Sequence, residues 1–239
     1  MKKLILSESA VSEAMSFSLT LAIVILASAM VYFQGAPMLD KSEKTAHFQE
    51  MERSFLYLSQ NIGKVGADRA PIRITELKIK GGILAVRHNS SITIGSIPFN
   101  LGSVEYMYED KTLAYENGGI WTKYPNGAVI IVSKPSFSTG NTTTIPAFEL
   151  AGDYWVGGDG IMRVNGKIFS SSLLTVDAVN GNVSMVIQSD YYKGWAEYLG
   201  DIGAKDIVID DMNTTVSSNI TANVVNVDSS QIITSILTG

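Results

Sequence analysis

The residues able to do chemistry are few and scattered. His47 and His88 are the only histidines, and neither stands near a G-x-S-x-G turn, so a Ser/His/Asp triad has no framework. Cysteine is absent, which removes disulfides and leaves no basis for a zinc site. The acidic runs 153–159 and 206–211 offer oxygen ligands for calcium, but neither has EF-hand spacing, and Ile207, Val208 and Ile209 read as strand. Paired glutamates of the glycosidase kind are recognised only by their separation in space. The expectation is therefore no enzyme, no cofactor and no metal site. A formal net charge of −5 and a pI near 5.1 also give no support for binding nucleic acid. One carboxylate stands apart from the rest: Glu13, at the border of a long apolar run.

That run is the element that must position Glu13. No charge lies between Glu13 and Asp40, and residues 14–33 are almost wholly apolar. Twenty such residues span roughly 30 Å as a helix, the depth of a bilayer core. A cleaved signal peptide would have Lys2 and Lys3 as its basic start and Ala27-Ser28-Ala29 as its A-x-A site. Against it, thirteen residues including Glu8 and Glu13 precede an apolar run that overshoots the usual length. A plain signal anchor is the second reading. Lysines flank both ends (Lys2 and Lys3, then Lys41 and Lys44), so positive charge does not orient the helix. Five N-x-[ST] sequons, at Asn89, Asn141, Asn182, Asn213 and Asn219, exceed the roughly two expected by chance and favour an external, glycosylated body.

A third reading uses more of the residues. A short basic leader, the small residues around Ser7-Glu8-Ser9-Ala10, the lone Glu13 and the apolar helix together resemble the class III signal of archaeal type IV pilins. No glycine precedes the run, which departs from that pattern. The resemblance implies a prepilin-type peptidase that removes the leader, and neighbouring pilin-like subunits among which Glu13 acts in assembly.

After the break-prone Gly35-Ala36-Pro37, Phe48, Met51, Phe55, Leu58, Ile62 and Val65 fall at alternating spacings of three and four. This is an amphipathic helical stripe, ended by Gly63 and Gly66. It predicts that the helix docks on the domain that follows; with only a kink at Pro37, helix would extend about 80 Å from Val11 to Val65.

From Pro71 the period becomes two. A hairpin is expected at Lys80-Gly81-Gly82, and turns at Asn117-Gly118, Asn126-Gly127, Asn165-Gly166 and Asn180-Gly181. These separate short strands over 72–79, 83–86, 91–97, 104–108, 112–115, 119–123, 128–132, 142–149, 161–169, 173–179 and 183–188. Ser189-Asp190 reads as the N-cap of one short helix near 190–199, with Tyr191, Trp195, Tyr198 and Leu199 on one face as core. Strand-like pieces follow at 207–209 and 220–227.

The segments from Ala114 to Trp121, Thr144-Ile145-Pro146 and from Ser189 to Tyr198 resemble an archaeal family of membrane-anchored proteins with pilin-like N-termini. The resemblance brings no catalytic residues. The expected fold is α+β: a long N-terminal hydrophobic helix, then a mostly antiparallel β-domain, sandwich or rolled sheet, with one short helix. The expected divisions are 1–13 leader, 14–36 membrane or filament-core helix, 37–66 amphipathic stalk and 67–239 external domain. Function is expected to be that of a minor pilin or pseudopilin at the cell surface, single-pass in the membrane with its C-terminal domain outside. The alternative is a monomeric membrane-anchored protein whose head binds a glycan or protein, with an anchored hydrolase third.

Overall fold

The structure is a computed structural model that describes residues 8–238. The leader residues 1–7 lie outside the described residues. The first element, α1, is helical over Glu8–Gly66. Pro37 sits inside it. The helix runs through the break-prone Gly35-Ala36-Pro37, as the reading of one long helix to about Val65 expects, although Pro37 has no N–H to donate to the preceding turn. The chain forms two compact units, the first ending at Phe48 and the second beginning at Gln49. The helical tail 49–66 thus belongs with the β-rich unit.

Within that second unit, Met51, Phe55, Leu58, Ile62 and Val65 are all essentially inaccessible, while Tyr57 on the opposite face is 66% exposed. Phe48, the last residue of the first unit, is buried too. Burying the five side chains contributes on the order of 10 kcal/mol before the entropy of ordering is subtracted. Polar contacts set the tail's position: Ser59 Oγ donates to Gly118 O at 3.2 Å, and Asn61 Nδ2 to Thr75 Oγ1 at 2.9 Å.

The strands are β1 (Ile72–Arg87), β2 (Ser91–Ile94), β3 (Ile97–Asn100), β4 (Ser103–Tyr108), β5 (Lys111–Glu116), β6 (Gly119–Lys123), β7 (Val129–Ser133), β8 (Thr142–Ala151), β9 (Tyr154–Asp177), β10 (Asn182–Gln188), β11 (Lys205–Asp210), β12 (Thr215–Thr221) and β13 (Val224–Thr238); α2 (Tyr192–Asp201) interrupts them. They build an eight-stranded sheet, ordered β7-β6-β5-β4-β1-β9-β13-β8, and a five-stranded sheet, ordered β11-β12-β10-β2-β3. Pairing is antiparallel except between β13 and β8. Ile92, Ile94, Met185, Ile187, Val216 and Ile220 of the small sheet share one core with Ala114, Trp121, Ile145, Ala147, Val225 and Val227 of the large sheet and with α2. Successive residues on a strand point to opposite faces. Ala147 joins that core, while the neighbouring Phe148 ring lies against Gly66 at the end of α1. The helix tail therefore covers one face of the large sheet and the small sheet covers the other.

Two expected turns are strand interior, and one expected strand is two. Lys80-Gly81-Gly82 does not reverse the chain: β1 pairs with β9 on both sides of it, with a register shift between Lys80 and Ile83. Gly81 and Gly82 have φ of 75° and 78°, a conformation that only glycine adopts freely, and here it makes a bulge rather than a hairpin. Asn165-Gly166 lies mid-strand, opposite Ile74 and Arg73 of β1 and Ser235 and Thr234 of β13. Partners on both edges override its turn preference, so the pieces expected at 161–169 and 173–179 are joined in one 24-residue strand that ends at Asp177. The piece expected at 220–227 is two strands that meet at Asn223, and the second continues to Thr238.

The N-cap of α2 also differs. Tyr191 occupies the cap position and no side chain caps the helix. Ser189 Oγ instead accepts from Tyr191 N at 2.9 Å and donates to Glu116 Oε1 at 2.7 Å. A buried carboxylate claims the hydroxyl.

Candidate functional site

Two features of the chain run against the ordinary rules of burial: an apolar helix surface that is open, and an acidic pair that is closed in. The helix surface lies in the first unit. Met15, Phe17, Leu19, Ile23, Val24, Ile25, Leu26, Met30, Val31, Tyr32 and Phe33 are all exposed. The consecutive run Ile23-Val24-Ile25-Leu26 covers every direction around the axis, since each residue turns the helix by 100°. An 18-residue window here has a mean hydropathy of 2.2 and none of it is buried. Among the described residues, this is the one helix long and apolar enough to cross a membrane. One of its hydroxyls is satisfied without water: Thr20 Oγ1 donates to Ser16 O at 2.8 Å, one turn back, the arrangement that suits a polar side chain in hydrocarbon or in a dry bundle. Asp40 and Lys44, paired at 3.2 Å, return the helix to polar character.

Glu13 is exposed on this helix. Helical backbone already begins at Glu8, so Glu13 lies beyond the first turn, where attraction to the helix dipole has faded.

The acidic pair lies between the large sheet and α2. Antiparallel pairing sets Ser103 opposite Glu116 and Glu105 opposite Ala114, which places both carboxyls on one face as diagonal neighbours. Each is essentially inaccessible. Glu105 accepts from Ser103 Oγ at 2.9 Å, has Arg87 Nε at 3.4 Å and holds the Tyr191 hydroxyl. Arg87 also reaches Asp190 at 3.7 Å and stacks over Trp155 at 5.0 Å. Glu116 accepts from Ser189 Oγ and, at 2.6 Å, from Trp195 Nε1. Burial pushes its carboxyl up to about 7; the hydrogen bonds from Trp195, Ser189 and Ser90 pull it down, and Glu105 adds to the rise. Burial, then the nearby Glu105 and Glu116, push the Tyr191 phenol well up as well. Glu116 is an acid with a raised pKa, and both carboxyls are closed off from solvent. The pair fastens α2 to the sheet.

The aromatic face of α2 is core, as its spacing suggests. Trp195 lies 5.0 Å from Trp121 and 5.9 Å from Phe137, and the Tyr198 hydroxyl accepts from Phe137 N at 3.1 Å. Gly194 occupies the helix interior because a Cβ there would meet the Trp121 ring at 2.7 Å.

A groove of about 610 Å³ opens beside the helix tail, lined by Ser59, Lys64, Lys134, Ser138, Thr144 and Asp228 among others. Neither buried glutamate nor His88 lines it. His88 lies elsewhere, with Nε2 3.4 Å from Glu149 Oε1. Among the described residues no group of three metal-ligating side chains comes together. Asp153 immediately precedes β9 and Asp159 lies within it, opposite Lys80 of β1, and Asp210 caps its own turn through Met212 N and Asn213, which lowers its carboxyl pKa.

Four sequon asparagines, Asn89, Asn141, Asn182 and Asn213, are exposed, and Asn219 is half-buried with its amide on Asp206. The buried acids had a weak signal in the sequence, glutamates inside strands of otherwise apolar character. Their convergence depends on the β4–β5 register, which no local pattern fixes.

No curated protein and no solved structure matches the chain. A family model described as a family of unknown function (DUF7289) matches residues 10–234, from the apolar helix through β13, and the chain belongs to that family.

Proposed function

We propose that this chain is a type IV pilin-like subunit of an archaeal envelope, a minor pilin or pseudopilin with a structural rather than catalytic role. Its N-terminal helix holds it in the membrane and packs against like helices on assembly, and its β-rich head stands outside, carrying glycans at exposed sequons. The observation that carries this reading is the helix surface of residues 14–33, apolar on every side and unburied. A surface of that kind needs lipid, or neighbouring helices, around its whole circumference. The lone carboxylate at its edge gives the reading its specificity. In lipid, Glu13 can stay near the headgroups. In a dry helical bundle an unpaired charge costs several kcal/mol, and the amine exposed on a neighbouring subunit when a prepilin-type peptidase removes the leader is the partner that relieves it.

Mass spectrometry of the native N-terminus tests the processing step: a new terminus near residues 9–11 supports the reading. Glu13→Ala and Glu13→Gln should leave head folding and membrane insertion intact while impairing assembly. Normal assembly in both variants would overturn the role given to Glu13, and an intact Met1 in native material with no assembly would replace the reading with a monomeric anchor.

A further inference from the structure

We propose that the free edge of β9, residues 169–177, pairs antiparallel with the same segment of a second copy of this chain. One edge of β9 is paired with β13 along residues 162–177. The other edge is paired with β1 only as far as Lys167, opposite Ile72 at the start of β1. Ile168 N still donates to Pro71 O, and beyond that point no described strand follows on that side. Nine residues, roughly 30 Å of strand, thus present backbone donors and acceptors to solvent.

Edges of this length are normally blunted by charge, proline or a cover. Between Lys167 and Asp177 the sequence has no charged residue and no proline. It displays Phe169 and Leu173, 68% and 67% exposed, with Leu174 beside them. That is a surface for strand addition.

The charges at its ends select the occupant. A two-fold axis through Leu173 sets Ser171 of one copy opposite Thr175 of the other, and Leu173 opposite Leu173. Asp177 of each copy then lies at the end that carries Lys167 of the other. Opposite charges approach at both ends and no like charges meet. The contact is isologous and closes at two copies, so it joins chains held in the membrane and does not propagate a filament. Anchoring both copies in one membrane raises their effective concentration for an edge contact of modest area. The inference does not rest on the pilin reading.

The chain lacks cysteine, so an introduced thiol reports by itself. The full chain carrying Leu173→Cys, in its native membrane under mild oxidation, should form mostly disulfide-linked dimer, because residues facing across an antiparallel pair lie within disulfide reach. Met212→Cys, 96% exposed and far along the sequence from the edge, should remain mostly monomer. Ser171→Cys and Thr175→Cys should give dimer when expressed together and little when expressed singly. Leu173→Cys dimerising no more than Met212→Cys would overturn the proposal, as would Ser171→Cys alone matching the mixture. N-terminal processing is read separately in the same samples, so failure here leaves the assembly reading standing.

Discussion

The two stretches of α1 on either side of Phe48 are both rich in large apolar residues, yet they solve opposite problems. From Met15 to Phe33 the side chains are exposed in every direction, whereas from Met51 to Val65 a single stripe is buried and the reverse face carries Glu52, Arg53 and Tyr57. The first stretch has no charge and few polar residues, the second carries Glu52, Arg53 and Lys64, and the angular distribution of the apolar side chains differs with it. An all-round apolar surface cannot be satisfied by one sheet face, but a stripe can. The same helix thus carries one surface completed within the chain and another that needs an environment.

Phe55→Ala tests this contrast most strongly. It should destabilise the head by about 3–5 kcal/mol through lost burial and a cavity, read as a lower urea midpoint. Phe17→Ala, an equal truncation on the open stretch, should leave that midpoint unchanged. A matching loss for Phe17 would erase the distinction between the two stretches. A chain starting at Leu39 should correspondingly be soluble and unfold cooperatively, since the membrane-length run is gone and the stripe retains its sheet.

The pH dependence of the head sharpens the comparison from the polar side. The Glu116 carboxyl titrates near 7 when folded and near 4.5 when unfolded, so the unfolded state gives up its proton first as pH rises. Its contribution to stability is complete below about 4.5 and is lost as pH climbs through 7, by about 3 kcal/mol in all. Glu116→Gln keeps an oxygen for Ser189 and Trp195 and should flatten that loss when urea midpoints at pH 5 and pH 8.5 are compared. An equally steep loss in the variant would move the titration to another group.

Two helical glycines give the next smaller contrast. Gly194→Ala should cost about 1–3 kcal/mol by overpacking Trp121, whereas Gly35 has nothing within 4 Å of a Cβ, and Gly35→Ala should leave the head's midpoint where it is. The smallest effect belongs to Lys44→Ala, which breaks an exposed pair with Asp40 and should change helix stability by only a few tenths of a kcal/mol.

Periodicity made the helix legible, both its apolar run and its stripe, because each depends on residues close in sequence. The hairpin turns at Asn117-Gly118 and Asn180-Gly181 were legible for the same reason, and their asparagines have the positive φ such turns require. Lys80-Gly81-Gly82 and Asn165-Gly166 misled because their turn chemistry is local while the strands pairing across them come from distant parts of the chain. The continuation of β13 past Val227 carries its own period-two signal: Ile232, Thr234 and Ile236 alternate with more exposed neighbours. The convergence of Glu105 and Glu116 had no such signal, since only the sheet register brings those carboxyls together.

The placement of β13 also bears on how the head is made. It is the thirteenth strand in chain order, yet it lies inside the large sheet between β9 and β8. Until it inserts, β8 has lost its parallel neighbour, β9 is open along most of its length, and Val225, Val227 and Ile232 are missing from the core. Contacts so distant in sequence close late and slowly. Most of the head would therefore stay without its final sheet partners until its last strand is available, and the fold would lock only when that strand arrives.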